Sequence, residues 1–284
     1  MIFSGKKIGT IFGLWLGIVF FFAANISAHD GLHEQILALT KKIKEDPTNA
    51  NLFLKRGELF RLHEEWRNAE KDFDQAEKLN PNLETVNFAR GKLWLDAKRF
   101  GSAKNALGKF LAKQPRSFEG VLTMARVLAS LKQTEKAVMH FAQAIALSPQ
   151  DSAEIYLEQS QTLAAAGKID AALRVLDEGI REFRQLIVLE NYAINLEVKR
   201  RHYDAALTRL DKLAVTMPRK ESFLLMRGEI LLKAGKKCEA RRAFTESLNA
   251  IEALSDFRKN VRTIQTMKTH LQKLLKQTPS KNCE

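Results

Sequence analysis

Two cysteines in 284 residues, Cys238 and Cys283, are too few to build a fold on disulfides. At this length a hydrophobic core must carry the stability. Proline is scarce as well, at six residues, and five of them recur at regular spacing: Pro47, Pro81, Pro115, Pro149 and Pro218. No glycine-rich phosphate loop is present. The six histidines, at 29, 33, 63, 140, 202 and 270, are scattered. His63-Glu64 opens like a zinc-protease motif, but the fourth residue after His63 is Arg67, so two histidines cannot share a helix face. Nothing in the chain makes a catalytic constellation or a cofactor-binding motif, and the reading is non-enzymatic. One metal alternative exists. A mature chain beginning at His29 would carry an amine and an imidazole able to grip copper, with His33 one turn on.

What is present is a period. Alanine stands at 69, 103, 137, 172, 206 and 240, with gaps of 34, 34, 35, 34 and 34 residues. Aligned on that alanine as position 20, repeats begin at Ala50, Glu84, Phe118, Ala153, Ile187 and Glu221. Position 8 is small in Gly57, Gly91, Ala125, Ser160 and Gly228. Position 11 is large and apolar in Phe60, Trp94, Leu128, Leu163 and Leu231, and position 24 is apolar throughout, from Phe73 to Phe244. Three-to-four spacing of apolar residues marks amphipathic helices. Short polar breaks such as His63-Glu64-Glu65 suffice for helical hairpins. Proline at position 32 closes four of the repeats, at Pro81, Pro115, Pro149 and Pro218. A single hairpin cannot bury its own stripe, so neighbours must stack. Repeat five departs, with Ile194 at position 8 and Glu197 at position 11, which predicts either a locally looser repeat or a specialised stretch of the groove.

Over roughly residues 50 to 252 this pattern resembles the tetratricopeptide repeat family. The resemblance implies an all-α, right-handed α-solenoid of six hairpins with capping helices at both ends. It also implies that positions 2, 5, 9 and 12 of each first helix line a concave groove. Position 5 reads Leu54, Phe88, Leu122, Leu157, Asn191 and Leu225. Position 9 reads Glu58, Lys92, Arg126, Gln161, Asn195 and Glu229, and position 12 begins with Arg61 and Leu95. An apolar row beside a polar row of both signs suits an extended peptide or amphipathic helix. The alternative is that the position-5 leucines pack between repeats. The chaperone-tail clamp of some family members needs lysine and asparagine where this chain has Leu54 and Glu58, so that ligand is not expected.

The ends fall outside the repeats. Lys6 and Lys7 precede an apolar run from Ile8 to Ala24, and Ile26 and Ala28 stand at minus three and minus one of a cleavage site. Residues 1–28 therefore read as a secretory signal peptide, with an uncleaved inner-membrane anchor as the alternative; either way the repeats lie outside the cytoplasm, in the periplasm or beyond. Residues 29–49 are expected to cap repeat one through a helix from Leu32 to Glu45 with Ile36, Leu39 and Ile43 on one face. Residues 253–277 are expected to form one C-terminal capping helix with the stripe Phe257, Val261, Ile264, Met267, Leu271 and Leu274, followed by a tail, 278–284. A Cys238–Cys283 bridge would fasten that cap in an exported protein.

The net charge of +13 falls to +11 without Lys6 and Lys7, since 44 basic residues then face 33 acidic ones. Residues 255–284 hold seven basic and two acidic residues, which is +5 of that excess. Such a chain favours protein or peptide partners with acidic character, or an anionic envelope surface of polymer or lipid. Nucleic acid is not expected, because no aromatic-and-basic stripe is present for stacking bases.

Overall fold

In a computed structural model, residues 16–151, 153–183, 186–215 and 219–278 are described, with backbone alone for 16–30 and 151. The described residues form α-helices joined by short turns, with one 3-10 turn at Pro149–Asp151 and no strand. The chain divides into two compact units, Met1–Gln133 and Thr134–Glu284.

The first unit holds α1 (Leu16–Glu45), the hairpins α2 (Ala50–Leu62)/α3 (Trp66–Leu79) and α4 (Thr85–Asp96)/α5 (Phe100–Lys113), and α6 (Phe118–Ser130). The second opens with α7 (Thr134–Leu147) and continues with three hairpins. These are α8 (Ala153–Ala165)/α9 (Ile169–Glu182), α10 (Ile187–Lys199)/α11 (Tyr203–Ala214) and α12 (Lys220–Lys233)/α13 (Lys237–Glu252). It ends with α14 (Asp256–Lys259) and α15 (Arg262–Gln277).

All six register alanines are 0% exposed. Their small side chains let paired helices approach closely, and position 8 meets position 24 in the gap. A Cβ placed on Gly57 would lie 2.5 Å from the Phe73 ring, and one on Gly228 would lie 2.3 Å from the Phe244 ring. In repeat five both positions are large: Ile194 is buried against a core that includes Leu210. Ile194 is 2% exposed, so the larger side chain is absorbed in the packing there.

Each first helix ends in the same way. Position 15 takes the left-handed conformation in Glu64, Lys98, Lys132 and Arg201 (φ 56–62°) and in Gly167 and Gly235 (φ 77° and 78°). The next amide then donates back to the carbonyl of position 11, as in Glu65 to Phe60 (2.8 Å), Arg99 to Trp94 (2.7 Å) and Lys236 to Leu231 (3.0 Å). This six-to-one bond satisfies a carbonyl the helix would leave open and turns the chain into the second helix.

Both caps differ from the sequence reading. At the N-terminus the helix is already formed at Leu16 and runs unbroken to Glu45. No proline interrupts residues 16–45, and Pro47 follows the stop. The expected signal or anchor lies largely outside the described residues, as do the side chain of His29 and any copper site it would make. Among the described residues no helix is long and apolar enough to cross a membrane. At the C-terminus, one expected helix is two. Val261 is extended (φ −66°, ψ 130°) and opens α15 afresh. The Gln265 side chain donates to the Lys259 carbonyl (2.6 Å) and holds the corner. The buried stripe is accordingly shorter: Ile264, Leu271 and Leu274 join the core and Met267 packs beside them. Phe257 and Val261 are exposed. Cys238 is disulfide-bonded; Cys283, its expected partner, lies outside the described residues.

Candidate functional site

The first helices of repeats one and two, together with α1, enclose an open cleft of about 680 Å³ in the first unit. From α2 come Leu54, Lys55, Glu58 and Leu59; from α4 come Thr85, Phe88, Ala89 and Lys92. Leu54 and Phe88 occupy position 5, Glu58 and Lys92 position 9, and Thr85 position 2, so the inward rows converge here. The wall from α1, made of Gln35, Ala38, Leu39 and Lys42, was not foreseen as part of a site. Spacing put Ile36, Leu39 and Ile43 on one apolar face. The structure splits that face: Ile36 and Ile43 are buried, while Leu39 turns to the cleft.

The α1 wall is fixed by charge. Arg56 of α2 grips buried Asp72 of α3 through two hydrogen bonds of 2.7 Å and donates a third, of 3.0 Å, to the Thr40 hydroxyl. The fork geometry of guanidinium suits this bidentate contact. One residue thereby ties α1, α2 and α3 together.

Phe88 is fixed from below. Its ring stacks on Phe110 of α5 with centroids 5.1 Å apart, and the Lys92 ammonium lies 5.0 Å from its centre. Phe110 has room because residue 120 is glycine: a Cβ there would lie 2.6 Å from the Phe110 ring. The aromatic anchor is therefore held in place before any ligand arrives.

The polar row is partly committed within the protein. Glu58 pairs with Lys92 at 2.7 Å and with Arg61 at 2.9 Å, and Arg61 also bonds Asp96. Burial disfavours the Arg61 charge, but its bonds to Glu58 and Asp96 more than offset this and raise its pKa. Opposite charges at position 9 of adjacent repeats are thus paired directly. Glu58 is neutralised, and the charges added by Lys42 and Lys55 leave the cleft positive.

The other expected groove residues are not brought into this cleft. Leu122 is 9% exposed and buried in packing, and Arg126 is exposed. Leu95 is half-buried. In the second unit, Leu157 and Leu225 pack against core clusters, which is the inter-repeat alternative for position 5. Gln161 and Asn195 are exposed. Glu229 bonds His270 of α15 at 3.0 Å, so the last repeat's position 9 meets the cap.

Repeat five carries a charged cluster in place of an apolar position 11. Glu197, 4% exposed, pairs with Arg200 at 2.6 Å, and Arg209 bridges Asp177 at 2.7 Å and Glu190 at 3.7 Å. Burial raises the Glu190 pKa. The Asn191 side-chain oxygen is buried with no hydrogen-bond partner among the described residues. Among the described residues no cluster of three His, Cys, Asp or Glu is placed to hold a metal ion.

Comparison with known proteins agrees with this architecture. Residues 88–152 match the tetratricopeptide repeat family. No curated protein sequence matches the chain. Among solved structures, a tetratricopeptide repeat protein from Parabacteroides merdae is 15% identical with a TM-score of 0.54, over 88% of this chain and 95% of its own. YrrB, a tetratricopeptide protein with an unusual peptide-binding site, is 22% identical with a TM-score of 0.51, over 64% of this chain and 93% of its own. MamA from Desulfovibrio magneticus RS-1 is 15% identical with a TM-score of 0.51, over 62% of this chain and 98% of its own. At these identities the likeness is one of fold, and it is that of tetratricopeptide solenoids.

Proposed function

We propose that this chain is an exported, non-enzymatic interaction scaffold. Its α1–α2–α4 cleft binds a protein or peptide segment that presents apolar side chains flanked by acidic ones. The observation that carries this reading is the cleft itself. Leu39, Leu54, Leu59 and Phe88 converge from three helices on one open volume. Lys42 and Lys55 flank them, while Glu58 and Lys92 are already paired with each other. A volume of this size accepts a few side chains, and preformed walls reduce the ordering cost of binding. YrrB, which shares the fold, is described by its peptide-binding site, in keeping with such a role.

Selection from a displayed random-peptide library on the wild-type protein tests the reading. Selected peptides should share one or two large apolar residues beside Asp or Glu. They should lose roughly 30-fold or more in affinity for Leu54→Ala/Phe88→Ala, since buried anchors cost about 1–3 kcal/mol each. Helicity must be retained in that variant. Selected peptides that bind the folded double variant as well as wild type would refute the cleft as the site. Export has its own measurement: the intact mass of the native protein should correspond to a chain beginning at His29, and a soluble cytoplasmic protein beginning at Met1 contradicts it.

A further inference from the structure

We infer that the α14–α15 corner is a docking surface for a bilayer bearing anionic lipid, with Phe257 as the inserted side chain. The inference involves none of the cleft residues and stands apart from the peptide-binding reading.

Phe257 is 84% exposed and Val261 40%. Their exposure is not fraying, because the corner is pinned on several sides. Arg258 reaches the buried Glu221 carboxylate of α12 at 3.6 Å. The Lys259 and Asn260 amides donate to Ser255 (2.9 Å) and Asp256 (3.1 Å), and Gln265 holds the Lys259 carbonyl. A phenyl ring is thus held in water by a fixed turn, at a cost the protein could avoid by placing a polar residue there.

The charge along α14 and α15 is nearly all of one sign. From Ser255 to Gln277 the basic residues are Arg258, Lys259, Arg262, Lys268, Lys273 and Lys276, against Asp256 alone. Three of these are committed within the protein: Arg258 to Glu221, Lys268 to Glu252 and Lys259 to Asp256 at 3.7 Å. Arg262, Lys273 and Lys276 are exposed. Arg262 and Lys273 are separated by about three helical turns and so share a face, with Lys276 about 60° away. That face lies opposite the buried Ile264, Leu271 and Leu274. An exposed aromatic at the turn that opens a helix with a cationic outer face matches the two components of interfacial binding, apolar insertion and attraction to anionic headgroups. A ring that stands 84% exposed on a fixed turn suits insertion into a bilayer interface, and the cations of α15 supply the attraction to its anionic headgroups.

The test is co-sedimentation of the full chain with vesicles of phosphatidylglycerol and phosphatidylcholine, against phosphatidylcholine alone. All variants carry the same N-terminal apolar run, so differences between them report the corner. Phe257→Ser should lower partitioning onto anionic vesicles roughly tenfold. Arg262→Gln/Lys273→Gln/Lys276→Gln should lower it on the order of 100-fold, and added salt should erase most of that difference. Phe257→Trp should bind like wild type, with indole emission shifted to the blue. Unchanged melting temperatures exclude unfolding as the cause. Phe257→Ser binding as wild type while the triple variant fails would mean a purely electrostatic surface suited to a soluble polyanion, and would overturn the lipid assignment. Equal binding of wild type and both variants would overturn it as well.

Discussion

At the scale of single residues, charge fixes what spacing only suggests. Arg56 makes no visible mark on the repeat pattern, yet it joins α1, α2 and α3 by gripping Asp72 and Thr40. Its removal leaves a buried carboxylate without its cation, which costs about 3 kcal/mol in comparable settings. Arg56→Ala should therefore lower the unfolding free energy by about that amount in urea titration, and Arg56→Leu/Asp72→Leu should recover most of it. If the single variant is as stable as wild type, the clamp does not hold the N-terminal wall. The same scale shows what a sequence can and cannot disclose. Opposite charges at position 9 of neighbouring repeats, Glu58 and Lys92, were visible as a row of mixed sign, and their pairing follows from the 34-residue offset. The support of Phe88 by Phe110 was not visible, because it depends on Gly120, a position with no role in the repeat pattern.

At the scale of elements, the hairpin turn recurs through backbone conformation, whatever the residue. Position 15 is left-handed in all six repeats, but only Gly167 and Gly235 are glycine. A side chain in that region costs roughly 1–2 kcal/mol, partly offset by the lower flexibility of the unfolded chain. Lys98→Gly or Lys132→Gly should therefore stabilise by about 0.5–1 kcal/mol, read as a higher urea midpoint with unchanged slope. A loss of stability would mean that these side chains do more than occupy a turn. The helices and their apolar faces were legible because period and alanine register constrain every repeat alike. The ends were less so, since no neighbouring repeat sets their register. Apolar periodicity ran from Phe257 to Leu274, yet the extended Val261 breaks it into two helices. At the other end the spacing named Leu39 as a packing residue, and packing had already been satisfied by Ile36 and Ile43.

The C-terminal cap is also an element held by more than its stripe. Arg241 donates to the Leu275 carbonyl (2.9 Å) and to Thr278, and Cys238 is disulfide-bonded. With Cys283 as its partner, the bridge closes a loop of about 45 residues, for which the chain-entropy relation gives about 4 kcal/mol. The non-reduced native protein should titrate with no free thiol, and reduction should release α15 first, seen as faster amide exchange at 264–274 than in the α12–α13 hairpin. Two free thiols in the native protein would contradict the pairing.

At the scale of the whole molecule, repetition leaves function to the places where it is broken or capped. The repeats share one plan, but the cleft forms where α1 adds a third wall to the first two of them, and the cationic corner forms where the last repeat is closed. The groove rows were legible as a resemblance. Which part of them stays open was not, because openness depends on what each side chain packs against. The central claim is that the cleft takes an apolar, acid-flanked segment. Amide hydrogen exchange on the full chain, with and without a peptide selected on it, tests that claim most directly. Slowed exchange should appear in residues 35–42, 54–59 and 85–92, with little change in α8–α13. Protection confined to the second unit, with those three segments unaltered at saturating peptide, would contradict it.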